Sequence, residues 1–529
     1  MTIVLILSFM IFAAARTIKA CQFFQQEGYS PTDFVKFMFK KAQFVDKRLS
    51  LCIFFYVLAS MASRNRLLDT IALSALFLIA AALHTNPFRH SRAKKKFKMT
   101  PRVWRIFILA MCIDLYVSAQ IFMLLDRLPE YGLYHIGGWL ILLVQSLPFF
   151  VLASDFILKP SEKLIKYRYY RQAYDKMTRL ATTTIAITGS FGKTSTKNIL
   201  HHILSTLSTS LKTPKSVNTL MGLVRVIRED LKPEHKYFVV EMGTSSPGKI
   251  ARMSRLVRHK HAILTAVGDM HYEYFKDRDS VAAEKFAVFD SVKALGGFMI
   301  INSFQVAPAY SQKFVGGYKN ALYVDEEVLS DIRQDSSGIH FRLGKLSVDA
   351  PVFGTYQAYD IALAITMAVK LGFDLERIVE TLKTLPPTRH RQELLRHPLG
   401  FTLLDDAYNS NPDGFVSAME TARILADDKG GRAILCTPGM LELGAKHKEY
   451  HGKVAARAAE LMDVVIAVVP DRIKDFTDEF ARLKKPAQEL VFAQSYRDAD
   501  IWLAANARPS DVVLFENDLS DIYEEKIRI

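Results

Sequence analysis

Cysteine is scarce in this chain. Cys21, Cys52, Cys112 and Cys436 are scattered singly through 529 residues and share no metal-binding spacing. That argues against a disulfide framework and a cysteine zinc site, and suits a reducing compartment. A second lack is a glycine at position 187, where Ile187 stands, so the turn in Ile185–Lys197 is not a full-length phosphate loop. Positive charge is also missing where it would be needed for an even surface. The net charge is +15, yet the basic residues crowd into the first third, between apolar runs. That pattern points to membrane topology and not to a nucleic-acid partner. The length leaves room for about three domains.

Residues 1–158 read as an α-helical membrane domain. Apolar runs occur at Ile3–Ala15, Leu49–Ala62, Leu67–Leu83, Ile106–Leu125 and Gly137–Leu158. The last two are long enough to cross a bilayer, the third nearly so, and the first two are short. The expectation is three to five crossings, with five favoured. Arg16–Arg48 carries seven Lys/Arg and Arg89–Arg105 eight, whereas the other two loops carry only Arg64, Arg66 and Arg127. The positive-inside rule then places the N-terminus outside and everything after Lys159 in the cytoplasm, and a re-entrant hairpin of runs two and three leaves that parity unchanged. No positive charge precedes the first run, which disfavours a cleaved signal peptide. The basic loop with Lys94, Lys95 and Lys96 suits anionic headgroups. The segment with Gln25, Phe34, Phe37 and Phe39 reads as an interfacial amphipathic helix or a substrate-entry element. Residues 159–179, basic and rich in tyrosine, read as a connector helix against the inner leaflet.

The stretch Ile185–Lys197 starts as a β-branched run and ends as a helix start. Thr188-Gly189-x-x-Gly192-Lys193-Thr194 is the short form of a phosphate loop. Its backbone N–H groups and the following helix N-terminus favour anionic phosphate. Lys193 would reach the β- and γ-phosphates of ATP, and the Thr194 hydroxyl could hold Mg²⁺. Tyr237–Val240 reads as a strand ending in Glu241, well placed for Mg²⁺ at the carboxyl end of a parallel sheet. Ala262–Val267 is another strand, leading to His271. A histidine there is usually structural, and Lys285, on a helix over Ser280–Asp290, would ordinarily be a solvated charge.

Several stretches together resemble the Mur ligase family. They are Thr188–Thr194, Asn218–Gly222, Val240–Gly243, Gly248–Ile250, Val267–His271, Ala283–Lys285, Ile301–Asn302, Asp405–Asp413 and Gly439–Gly444. The resemblance is closest to the branch that joins D-alanyl-D-alanine to UDP-N-acetylmuramoyl-tripeptide. It implies a central ATP-binding domain at 180–388, of α/β phosphate-loop type, and a Rossmann-like α/β C-terminal domain at 389–529. It implies nucleotide contacts from Thr188, Gly189, Ser190, Gly192, Lys193, Thr194, Ser195, Asn302, Arg391 and Asp406. Thr194, Glu241, His271 and a carbamylated Lys285 would hold two Mg²⁺ ions. Lys193, Lys285, His271 and Arg391 would be catalytic, with Asn218, Tyr408, Asn409 and Asn411 lining the substrate cleft.

The chain departs from the family at three places. The nucleotide-contacting Gly-x-His-Asn-x-x-Asn becomes Gly354-Thr355-Tyr356-Gln357-Ala358-Tyr359-Asp360, and an aspartate expected two residues after Asn302 is Phe304. A lysine-glycine-serine stretch that helps hold the amine substrate is replaced by Leu514–Asp521, whose Glu516, Asp518 and Asp521 would favour a cationic amine or form a solvated loop. Nothing before Thr184 resembles the uridine-binding domain of soluble members.

The reading is therefore an ATP-dependent, ADP-forming acid–amine ligase working through an acyl phosphate on a peptidoglycan-type envelope substrate, small or lipid-linked. Its place is the inner membrane, multi-pass, with the catalytic domains cytoplasmic and no nucleic-acid partner. The alternatives are another ligase of the superfamily, such as a polyglutamate-type synthase, an ATP-gated membrane protein, or a scaffold with a decayed site.

Overall fold

The computed structural model describes residues 2–40, 47–62, 66–85, 97–126, 132–244, 246–268, 275, 277–407, 411–440 and 446–517. The chain divides into two compact units, which part between Lys166 and Tyr167.

The first unit is helical: Thr2–Gln26, Pro31–Lys40, Lys47–Ala62, Arg66–Thr85, Pro101–Asp126 and the start of Gly132–Arg179. Three stretches, Val4–Gln26, Pro101–Ile121 and Trp139–Arg179, are long and apolar enough to cross a membrane, and Ile71–Leu83 is a shorter apolar helix. The first run is thus longer than its composition suggested. The helix continues through Arg16 and Lys19, which are buried. Arg16 Nη2 donates to Gln145 Oε1 at 3.2 Å, and Gln145 Nε2 to Ser50 Oγ at 2.6 Å, so the guanidinium is engaged inside the unit. Two residues of the expected headgroup loop are also engaged within the protein. Arg102 pairs with Asp155 at 2.9 Å, and Arg105 Nε donates to Glu162 Oε1 at 2.8 Å. Lys94, Lys95 and Lys96 lie outside the described residues.

The second unit holds two doubly wound sheets. In the first, β1 (Thr183–Thr188), β2 (Ser210–Lys212), β3 (Tyr237–Glu241), β4 (His261–Leu264), β5 (Met299–Asn302) and β6 (Ala321–Val324) lie all parallel in the order β2-β3-β1-β4-β5-β6. Their nearly continuous apolar runs are what a sheet covered on both faces requires. Ile185 and Ile187 pack on one face with Leu200, Ile203 and Ile361, and Ala186 on the other with Val224 and Met253.

A small antiparallel sheet follows, β7 (Leu329–Asp335), β8 (Gly338–Leu343) and β9 (Leu346–Ala350), which the sequence pattern does not announce. The last sheet contains β10 (Glu393–Arg396), β11 (Thr402–Asp406), β12 (Ala433–Thr437), β13 (Val464–Val468), β14 (Glu489–Ala493) and β15 (Val512–Glu516). Its order is β10-β11-β15-β12-β13-β14, parallel except for β10. Its centre is the apolar strands β11, β15, β12 and β13, and β10 and β14, less apolar, are its edges.

The expected connector is no separate helix. It continues Gly132–Arg179. Nor do its last turns present their apolar stripe to lipid. Ala173 and Met177 are buried in the core of the second unit, on one face of its first sheet, with Tyr170 and Tyr174 against it. Residues spaced three and four apart share one helix face, and here that face meets protein. Lys176 Nζ donates to Arg228 O at 3.0 Å, and the Arg228 guanidinium stacks 3.9 Å over the Tyr169 ring.

Candidate active site

The site forms where β1 ends. Register sets Ile187 of β1 beside Glu241 of β3, so the loop and the carboxylate leave the sheet at the same edge, next to a strand crossover. Thr188 Oγ1 donates to Met242 O at 3.0 Å, fastening the loop to the end of β3. Gly189 runs so close to β4 that a Cβ there would stand 2.0 Å from Thr265 Oγ1. Ser190 N donates to Ala266 O at 2.8 Å. Gly192 has φ 75°, which favours glycine, and starts the helix Lys193–Leu207.

Lys193 folds back over the loop, its Nζ donating to the carbonyls of Gly189 at 2.8 Å and Ser190 at 3.0 Å. Although the side chain keeps some surface, its amine is enclosed, and that desolvation lowers its pKa. Glu241 and Asp360 oppose the shift and Arg391 adds to it. Thr194 Oγ1 donates to Glu241 Oε2 at 3.0 Å, and Asn218 Nδ2 donates to Glu241 Oε1 at 3.1 Å. A hydroxyl and a carboxylate oxygen this close form the hard oxygen donor set that Mg²⁺ takes, so these residues fit that ion.

Two participants carry no motif in the sequence. Lys197 is fully buried and pairs with Glu241 Oε2 at 2.9 Å, compensating the carboxylate's charge inside the domain. Its signal is its position three residues after Thr194, on the same helix face. Asp360, which stands out in the sequence only as a departure from the family, lies under the loop. It accepts from Thr196 Oγ1 at 2.7 Å, and a Cβ on Gly192 would stand 2.4 Å from its Oδ1. Burial pushes its carboxyl up to about 7, against Thr196, Arg391 and Lys193, which favour the charged form.

Lys285 is buried, not solvated, and lines a cavity of about 480 Å³ together with Ser190, Lys193 and Asn218. Burial first and Lys193 second lower its pKa well below the ordinary lysine value, with Glu284 and Glu241 opposing. Such an amine has its free-base form available for reaction.

Arg391 acts electrostatically on Lys193, Asp360 and Asp406, so the C-terminal domain brings a cation to the phosphate loop. Asp406 is buried, its carboxyl pushed up to about 7 by burial, and its Oδ1 has no hydrogen-bond partner. Asp405 takes a different role, accepting from His390 Nδ1 at 2.7 Å.

Other expected residues are placed apart from open space. The Asn302 amide donates to Thr265 O at 3.0 Å and accepts from Phe304 N at 3.1 Å. Phe304 packs on Tyr359, ring centroids 4.8 Å apart. Asn411 caps the helix Pro412–Asp428 by accepting from Gly414 N at 3.0 Å. Ser195 is buried in the helix after the loop, and Glu516 is buried at the end of β15, so neither is a solvated group. His271, Tyr408, Asn409, Asp518 and Asp521 lie outside the described residues.

Fold and site together define a phosphate-loop protein with two doubly wound α/β sheets. Residues 187–368 match the Mur ligase middle domain, and residues 390–516 the Mur ligase, glutamate ligase domain. The chain belongs to the Mur ligase family. Among its relatives is the UDP-N-acetylmuramoyl-tripeptide–D-alanyl-D-alanine ligase of Bacillus subtilis (strain 168), 29% identical over 281 residues, 52% of this chain and 60% of that protein. The corresponding ligase of Escherichia coli (strain K12) is 30% identical over 298 residues, 54% of this chain and 64% of that one. The chain thus matches less than two thirds of the length of either. Among solved structures, MurF of Acinetobacter baumannii superimposes with TM-score 0.59 at 23% identity, covering 68% of this chain and 78% of that one. MurF of Thermotoga maritima in complex with ADP gives 0.58 at 24%, covering 68% and 82%. These likenesses establish the shared fold.

Proposed function

We propose that this protein is an ATP-dependent carboxylate–amine ligase that builds an amide in a cell-envelope precursor through an acyl phosphate. The observation that carries the reading is the convergence of Lys193, Thr194, Glu241 and Lys285 on one site, with Arg391 arriving from the second domain.

In the first step a substrate carboxylate oxygen attacks the γ-phosphorus of ATP, the bond to the β–γ bridging oxygen breaks, and ADP leaves. Lys193 turns from the Gly189 and Ser190 carbonyls to the phosphate oxygens, and Arg391 adds charge from the other side. Transition-state stabilisation here is electrostatic. Mg²⁺, held by Thr194 and Glu241, would supply further charge neutralisation on the phosphates. In the second step the amine attacks the acyl carbon, loses a proton, and phosphate departs. This step depends on positioning and on exclusion of water as the two domains close. Lys285, with its lowered pKa, is suited to carbamylation by CO₂. The carbamate, with His271, would hold a second metal ion.

The acid is proposed to be membrane-held. The support is the set of three helices long and apolar enough to span a bilayer, preceding the phosphate loop, together with the basic-loop asymmetry. In this proposal the N-terminus is outside, residues 1–158 form the membrane domain, and residues 180–388 and 389–529 form cytoplasmic catalytic domains. The test is ligation of a lipid-linked against a soluble nucleotide-linked muramoyl peptide by the purified protein. Preference for the soluble acid would overturn the membrane-held substrate.

A further inference from the structure

Asp114 stands midway along the helix Pro101–Asp126, within the stretch Pro101–Ile121 that is long and apolar enough to cross a membrane. Residues three and four apart share one helix face, and on this face Asp114 follows Ile106 and Ala110 and precedes Val117 and Ile121. The side chain is fully buried, and neither carboxyl oxygen has a hydrogen-bond partner. One turn further on, the Ser118 hydroxyl is buried and unpartnered as well. Ser146 and Ser154 of the same unit donate to the carbonyls four residues before them, Leu142 O at 2.8 Å and Phe150 O at 2.7 Å. Ser118 makes no such bond to its own helix.

The other buried titratable groups described in this unit are Arg16, Lys19 and Cys21 on Thr2–Gln26 and Asp155 and Glu162 on Gly132–Arg179. Arg16 is engaged by Gln145, Asp155 by Arg102 and Glu162 by Arg105, and none of the five bonds to Asp114. A carboxylate enclosed by apolar side chains needs a compensating positive charge, and among the described residues no ion pair supplies one. We propose that Asp114, with the Ser118 hydroxyl one turn away, is a binding site for an exchangeable monovalent cation, H⁺ or Na⁺. One carboxylate balances one positive charge, and hard oxygen atoms suit both ions. The inference goes beyond the ligase reading and stands without it. It rests on the helical unit lying in a bilayer, which extraction of native membranes with alkaline carbonate tests separately.

The test is labelling of the full-length protein in lipid nanodiscs with N,N′-dicyclohexylcarbodiimide, read by peptide mass spectrometry. The reagent adds the O–H of a protonated carboxyl in apolar surroundings across its C=N bond, and the adduct rearranges to a stable N-acylurea. An adduct on the Asp114 peptide is expected, its rate falling about tenfold or more between about pH 6 and about pH 10. Asp114→Asn, neutral and of the same shape, should abolish the adduct and keep the gel-filtration profile. Protection by Na⁺ at fixed pH, with choline as the control, assigns the site to Na⁺. In that arm Ser118→Ala should weaken the protection about tenfold, and unchanged protection would take Ser118 out of the site. A pH-dependent rate indifferent to Na⁺ assigns the site to the proton. If the Asp114 peptide stays unlabelled at every pH with Na⁺ absent, or if its rate responds to neither pH nor Na⁺, the exchangeable site is overturned.

Discussion

The Thr196 hydroxyl donates to Asp360 Oδ1 at 2.7 Å, tying the helix that follows the phosphate loop to the helix Gln357–Lys370. The contact sits under Gly192, so the loop, its helix and this carboxyl form one packed unit. Burial holds Asp360 at about 7 against an ordinary 3.8. Between those values the folded protein keeps a proton that the unfolded chain has lost. Stability is therefore fullest below the unfolded value and falls as pH rises through the folded one. Asp406, also held at about 7, acts in the same direction. Asp360→Asn should remove about half of this fall, which amounts to at most about 4 kcal/mol per group over the window. The check is Tm of the nucleotide-free protein from about pH 4 to about pH 7. An unchanged slope in the variant would remove Asp360 from the account.

The buried pair of Lys197 with Glu241 leads to a stability prediction. Removing one partner strands a charge and should cost about 3–5 kcal/mol, by Lys197→Met or Glu241→Gln alone. The double variant should recover much of that loss, since no uncompensated charge remains. Denaturant unfolding of the four proteins measures the coupling, and simple additivity of the two single effects would contradict the pairing.

Much of this arrangement is legible in the amino-acid sequence, and the reason is local. The phosphate loop is contiguous, so Gly189, Gly192, Lys193 and Thr194 announce their geometry together. Glu241 is readable because an acid ends an apolar strand run. Lys197 and Asp360 are not readable in the same way, because their roles depend on neighbours 44 and 164 residues away in sequence. The connector misleads because a tyrosine-rich amphipathic stripe suits a lipid interface and a protein core equally well, and only tertiary packing of Ala173 and Met177 decides between them. The short strands β7 to β9 carry mixed polar and apolar residues, with Leu329, Ile339, Phe341 and Val348 buried in the core and many of the others exposed, so their pattern is too weak to stand out.

Lys285 offers a chemical test. Lys285→Ala should lower ligation by about a hundredfold to a thousandfold, the range found when a charge-stabilising group is removed. Bicarbonate should not restore the variant, whereas a small carboxylic acid such as acetate should do so in part by standing in for the carbamate. The rate of amide formation measures this, and full activity of the alanine variant would remove Lys285 from the mechanism.

Asn411 separates a capping role from a substrate role. As an N-cap, its replacement by alanine should cost about 1 kcal/mol, while Asn411→Ser keeps an acceptor oxygen and should preserve stability. If capping is its whole contribution, the serine variant also keeps its ligation rate. A serine variant that is stable but inactive would return Asn411 to the substrate cleft that the family resemblance assigned it. Unfolding midpoints and initial rates measured on the same preparations make the distinction.

The most direct measurement of the central claim is mass spectrometry of the reaction of the purified, membrane-reconstituted protein with ATP, a muramoyl-peptide acid and an amine, with ADP and phosphate quantified alongside. The account predicts a new amide formed in step with ADP and phosphate, and ATP turnover that requires the acid. ATP hydrolysis indifferent to the acid, with no amide formed, would contradict it.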